Sequence, residues 1–100
     1  MEKNTELLGK YKGRFYSITR KVKPSFQNIR DFAVTIHFTD SSQEEIEIVR
    51  IDYSHGYVHM DCLFKSRKPK IEKPDLDAFS AYDFLKNNWK KYAEKHRKNH

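Results

Sequence analysis

Cysteine, glycine and proline are scarce in this 100-residue chain, which has one Cys, three Gly and three Pro. A lone Cys62 excludes an internal disulfide framework and suits a reducing compartment. With so few glycines there is no Walker loop, no Gly-rich dinucleotide fingerprint and no Gly-x-Ser-x-Gly turn. Nucleotide, nicotinamide and hydrolase-fold chemistry therefore lack their motifs. No apolar run approaches the ~20 residues of a membrane span. The opening MEKNTELLGKYKG carries no signal-like apolar stretch. The expectation is a soluble, cytoplasmic protein with no membrane contact.

What the chain does have is aromatic residues and charge. Phe, Tyr and Trp make up 14% of it and charged residues 34%, with a net charge of +6. That aromatic content is too high for a disordered chain, and the length suits one small domain over 1–100. Residues 1–12 and 98–100 are expected to be flexible ends. The charge is segregated: 1–23 carry +5, 24–64 carry −5 and 65–100 carry +6. Basic arms around an acidic centre point to RNA or another polyanion as partner. A solvated surface explains the same charges with no partner at all.

Hydrophobic periodicity predicts an α+β fold: a four-stranded antiparallel meander with a C-terminal amphipathic helix packed on one face. Tyr16, Ile18 and Val22 share one parity in a first strand that ends at Pro24. Phe32, Val34, Ile36 and Phe38 alternate strictly in a second over 31–39. Strands over 44–53 and 57–65 follow, then a basic loop over 65–74. Leu76, Phe79, Tyr82, Leu85, Trp89, Tyr92 and His96 form one helical stripe. Asp75 or Ser80 is the expected cap, with Ser80 to Asp83 shaped as a capping box.

The chemistry-bearing stretch is Arg50-Ile51-Asp52-Tyr53-Ser54-His55-Gly56-Tyr57-Val58-His59-Met60-Asp61. A two-residue turn at His55-Gly56 sets Ser54 opposite Tyr57, Asp52 opposite His59 and Arg50 opposite Asp61. One face then gathers Arg50, Asp52, Tyr57, His59 and Asp61, while Val49, Ile51, Tyr53, Val58, Met60 and Cys62 turn to the helix. Ile46 and Ile48 break this parity, which calls for a bulge or for cover by another element or subunit, and makes a homodimer one candidate assembly. On the polar face His59 is the expected acid or base for metal-independent RNA cleavage. Asp52 or Asp61 orients it, Arg50 steadies the phosphate and His55 serves as a second proton carrier. Ordinary cross-strand charge pairs on a wet face account for the same residues without catalysis.

A metal reading draws on His55, His59 and Asp52 or Asp61. The two rings are ~13 Å apart on an extended strand and closer if the turn folds back. With no Cys-pair motif to support a site, the expectation is no metal and no cofactor. Lys65, Arg67, Lys68, Lys70 and Lys73 can track a phosphate backbone. Tyr57, Tyr11 or Trp89 can stack a base, although Trp89 belongs to the helix stripe and reads as core.

The segment from Arg50-Ile51-Asp52 through His55-Gly56, His59 and Asp61 to the C-terminal helix resembles small prokaryotic proteins near the TumE-type toxins of toxin–antitoxin systems. It departs from them in having Ile51 in place of the aromatic centre and fewer histidines. The resemblance implies an RNA-directed toxin or a relative of one, with a cognate antitoxin as partner. The resulting expectation is a small basic ribonuclease. The alternative is a non-catalytic module that binds nucleic acid or a protein partner.

Overall fold

A computed structural model describes residues 1–54, 57–63, 70–72 and 76–98, with only the backbone of Ser54 and of 70–72. The chain is α+β, as the periodicity predicts. Five long strands form an antiparallel meander: β1 (Glu2–Tyr11), β2 (Arg14–Ser25), β3 (Asn28–Thr39), β4 (Glu45–Ser54) and β5 (Tyr57–Cys62). A three-residue edge strand, β6 (Lys70–Glu72), pairs outside β5. One helix, α1 (Ala78–Lys98), lies across β1 to β4. Among the described residues, no helix is long and apolar enough to cross a membrane.

The four-strand expectation undercounts the sheet. Residues 2–11, expected as a flexible end, form edge strand β1 against β2. Backbone pairing recruits this polar segment, and α1 anchors it. Tyr82 Oη donates to the Glu6 carboxylate, and Lys86 Nζ donates to the same group at 3.0 Å. Further along, Tyr11 Oη donates to Glu94 at 2.9 Å. Donation from Arg97 and then Tyr11 pulls the Glu94 carboxyl down to about 2. Tyr11 is thereby committed to the helix and not to a stacked base. Gly9 sits at φ +153°, where a Cβ would stand 3.3 Å from Trp89. Only glycine lets this edge close onto the indole.

Pro24 does not end β2 as expected. The strand runs on to Ser25, with a register shift between Lys23 and Pro24. Pairing with β1 stops at Val22, so the missing N–H of Pro24 leaves no ladder bond unmade on that side. The Ile46 and Ile48 irregularity is a bulge. Ile36 faces Val49 and His37 faces Glu47, so Ile48 is the extra residue. Ile48 and Val49 are both fully buried, and Ile46 packs partly against the same core. The bulge thus returns Ile48 fully and Ile46 partly to the core.

Asp77 caps helix α1, where the sequence suggests Asp75, which lies outside the described residues, or Ser80, which lies inside the helix. The Ser80 N–H donates to Asp77 Oδ1 at 2.8 Å, which satisfies one of the unpaired donors of the first turn. The buried face is Ala78, Ala81, Leu85, Trp89, Tyr92, Ala93 and His96. Alanines replace Phe79 and Tyr82 of the expected stripe: Phe79 is exposed and Tyr82 lies at the edge. Small side chains let the helix backbone approach the sheet closely. His96 packs edge-on to Phe38 at 5.5 Å between ring centres, and Cys62 is buried.

Candidate functional site

The β4–β5 pairing is the one the hairpin pattern predicts. Arg50 faces Asp61, Asp52 faces His59, Tyr53 faces Val58 and Ser54 faces Tyr57. Cross-strand partners share a sheet side. Val49, Ile51, Val58, Met60 and Cys62 therefore join the core beneath α1, and the polar set turns to the opposite, helix-free face.

On that face the side chains converge. His59 Nε2 stands 2.9 Å from Asp52 Oδ1 and 3.9 Å from Asp61 Oδ2. Arg50 Nη2 lies 3.5 Å from Asp61, and Arg50 Nε lies 4.0 Å from Asp52. His59 is only 3% exposed and Asp61 4%. Asp52 is partly open, and the Arg50 side chain is 38% exposed. Tyr57 is exposed, with its ring centre 5.3 Å from that of His59.

Burial separates the members of this set. His59 is enclosed, with its Nε2 turned to the carboxylates. The groups that reach the surface are Asp52, Arg50 and Tyr57. His59 and Asp61 form the floor beneath them.

The register extends the site to residues that the hairpin pattern alone leaves out. One cross-strand row runs Lys3, Lys21, Ala33, Asp52, His59 through successive pairings. At a strand spacing of ~4.8 Å, Lys21 and Asp52 are ~10 Å apart along the row, with the small Ala33 between them. A groove of about 290 Å³ lies there, lined by Lys21, Lys23, Asp31, Ala33 and Asp52 among others. Lys3, Lys21 and Lys23 are all exposed. The signal for two of them is present in the sequence: Lys21 and Lys23 have the opposite parity to Tyr16, Ile18 and Val22. Lys3 carries no such signal, because β1 itself has no clear pattern.

The other predicted contacts divide. Lys70 lies in β6, where the register sets it opposite Asp61. His55, Lys65, Arg67, Lys68 and Lys73 lie outside the described residues. Trp89 is core, at 8% exposure.

The same face holds a second buried histidine. His37 is hydrogen-bonded through Nε2 to Thr19 Oγ1 at 2.7 Å, and Nδ1 lies 3.5 Å from Glu45. Burial lowers its pKa from 6.5, and Lys3 and Lys21 push the same way against Glu45 and Glu47. With the folded value below the unfolded one, the unfolded chain binds the extra proton as pH falls. The stability that His37 contributes is thus whole above about pH 6.5 and is lost as pH drops through the lowered value. We expect the melting temperature to fall more steeply in the parent than in His37→Gln between about pH 7 and pH 5. Parallel curves in a pH-stepped thermal melt contradict this assignment.

No curated protein and no solved structure matches the chain. A family model does match, over residues 1–100, and the chain belongs to that family, described as a domain of unknown function (DUF7718).

Proposed function

We propose that the helix-free face binds RNA and that Arg50 and the Asp52–His59–Asp61 cluster cleave its phosphodiester backbone. The observation that carries this reading is the convergence of an imidazole, two carboxylates and a guanidinium beside an exposed lysine row. Lys21 and Lys23 hold backbone phosphates along the groove, and Lys3 continues the row beside it. Tyr57 offers an exposed ring for a base. Arg50, reachable from solvent, neutralises the scissile phosphate as charge develops on it. Asp52, the partly open carboxylate, takes the proton of the attacking 2′-hydroxyl, whose oxygen bonds to phosphorus as the bond to the 5′-oxygen breaks. The leaving 5′-oxygen takes a proton from solvent, and His59 and Asp61 hold Asp52 in place from behind. Enclosure by protein strengthens that electrostatic work relative to a wet surface.

A toxin-like role with a cognate antitoxin is part of the same proposal and is carried by the resemblance to TumE-type proteins. A non-catalytic binding module is the second reading, favoured by the lysine row, which needs no chemistry to hold RNA.

The test is cleavage of end-labelled single-stranded RNA by the parent, Asp52→Asn and His59→Gln, with a divalent salt present. Loss of acid–base function typically costs 10²–10⁴-fold, so each variant is expected to cleave at least ~100-fold more slowly. Equal rates in parent and variants overturn the catalytic assignment. Binding by a parent that cleaves nothing supports the module.

A further inference from the structure

We infer that Asp52, His59 and Asp61 together bind one divalent first-row metal cation. The inference concerns the site already described but does not depend on RNA being its substrate. It also differs from the sequence reading, which paired His55 with His59 and expected no metal.

The three side chains each offer one ligand atom, and these atoms lie within 4.8 Å of one another. Two ligands ~2.1 Å from a cation and at right angles to each other are ~3.0 Å apart. The His59 Nε2 to Asp52 Oδ1 separation of 2.9 Å fits such a pair, and the 3.9 Å from Nε2 to Asp61 Oδ2 must close by ~0.5–1 Å when the ion binds.

A second observation is the burial of the set: the side chains of His59 and Asp61 are 4% and 6% exposed. His59 Nδ1 is buried with no hydrogen-bond partner among the described residues, so the two carboxylates are the polar neighbours of the imidazole. Asp52 Oδ1 is enclosed too, with His59 Nε2 at 2.9 Å and Arg50 Nε at 4.0 Å as its close contacts. His59 is nine-tenths buried, and its Nε2 faces into the same cluster.

Charge points the same way. Buried carboxylates are normally paired or metal-bound, and Asp61 is buried here with its nearest Arg50 nitrogen at 3.5 Å. That exceeds the ~2.7–2.9 Å of a charge-assisted hydrogen bond. Arg50 thus neutralises the pair only at long range, and its partly exposed side chain, with no hydrogen bond at Nε among the described residues, keeps hydrogen-bonding capacity for an anion. Carboxylates suit Mg²⁺ and Mn²⁺ while imidazole suits Fe²⁺ and Zn²⁺. A set of two carboxylates and one imidazole favours an ion acceptable to both, with Mn²⁺ the convenient probe.

The experiment is titration of metal-free full-length protein with MnCl₂, without RNA, followed by electron paramagnetic resonance and calorimetry. Arms with ZnCl₂ and MgCl₂ set the preference. We expect one Mn²⁺ per chain and a higher melting temperature. Losing an outer-shell partner already costs 10–100-fold in metal affinity, so Asp61→Asn and His59→Gln should each weaken binding at least ~10-fold. Asp52→Asn, at the partly open position, keeps the test valid if a buried variant fails to fold. No saturable binding by the parent overturns the inference. So does equal binding by folded Asp52→Asn, which assigns the ion to acidic residues elsewhere. Mn²⁺ bound at this site with no RNA cleavage removes the proposed function and leaves the metal site standing.

Discussion

Replacing Trp89 with alanine is expected to lower the unfolding free energy by about 3–5 kcal/mol, the range for truncating a buried large aromatic residue. A 100-residue domain has only about 5–15 kcal/mol to lose, so the variant sits near the limit of folding. The reason lies in what the indole joins. Its ring centre is 5.4 Å from Tyr16 in β2 and 6.4 Å, edge-on, from Tyr11 in β1. It also fills the space above Gly9, where a Cβ would be 3.3 Å away. Trp89 thus fastens helix, central sheet and edge strand at a single point. At about 4–8 °C per kcal/mol for a domain of this size, the melting temperature should fall by more than 10 °C. Trp89→Phe keeps most of the ring contact and should lose clearly less. Urea titration of the three proteins decides the matter. A loss below about 1 kcal/mol for the alanine variant would mean that the edge strand holds without the indole.

The same residue shows which parts of the fold are legible in the sequence. Strands β2 to β5 read clearly because their inward positions are apolar at period two. Trp89, Leu85 and Tyr92 read as core because they recur at helical spacing. Strand β1 does not read, because its inward position at Glu6 is charged. Glu6 is satisfied by Tyr82 and Lys86, some eighty positions away in the sequence, and no local pattern reports such a contact. The helix start is misplaced for a related reason. Phe79 matches the stripe by spacing yet is exposed, while Ala78 and Ala81 pack, so the choice rests on how closely the backbones approach. At Ile48 the parity slip shows that something irregular occurs, and only the pairing with β3 identifies it as a bulge.

The site divides in the same way. That Arg50, Asp52, His59 and Asp61 share a face follows from strand period and a two-residue turn, both local properties. That His59 is enclosed while Asp52 and Arg50 are open depends on neighbouring chain and is not encoded in the hairpin. Burial sets their places: the histidine lies in the floor of the cluster and the aspartate at its opening. The same burial gathers an imidazole and two carboxylates in the geometry from which the cation site is inferred.

The lysine row then separates two surfaces on which the proposed RNA binding can rest. If the segment 65–73 carries the affinity, the helix-free face matters little; if the face carries it, Lys21 and Lys23 are the test. Both are exposed, and surface changes of this kind usually alter stability by less than ~0.5 kcal/mol. Lys21→Glu with Lys23→Glu is expected to weaken single-stranded RNA binding roughly tenfold or more, since placing like charges together costs several kcal/mol. Each phosphate contact on a single strand contributes about −0.7 to the slope of log affinity against log salt, so losing two should flatten that slope by about 1.4. Lys90→Glu with Lys91→Glu changes net charge equally on exposed positions of α1. It should leave the slope unchanged if the helix-free face is the binding surface. Fluorescence anisotropy across a salt series measures both quantities. Equal losses in the two double variants would mean that overall charge, not this face, attracts the RNA. No loss in Lys21→Glu with Lys23→Glu would move the binding surface off the groove, and with it the argument that Arg50 and Asp52 meet a phosphate.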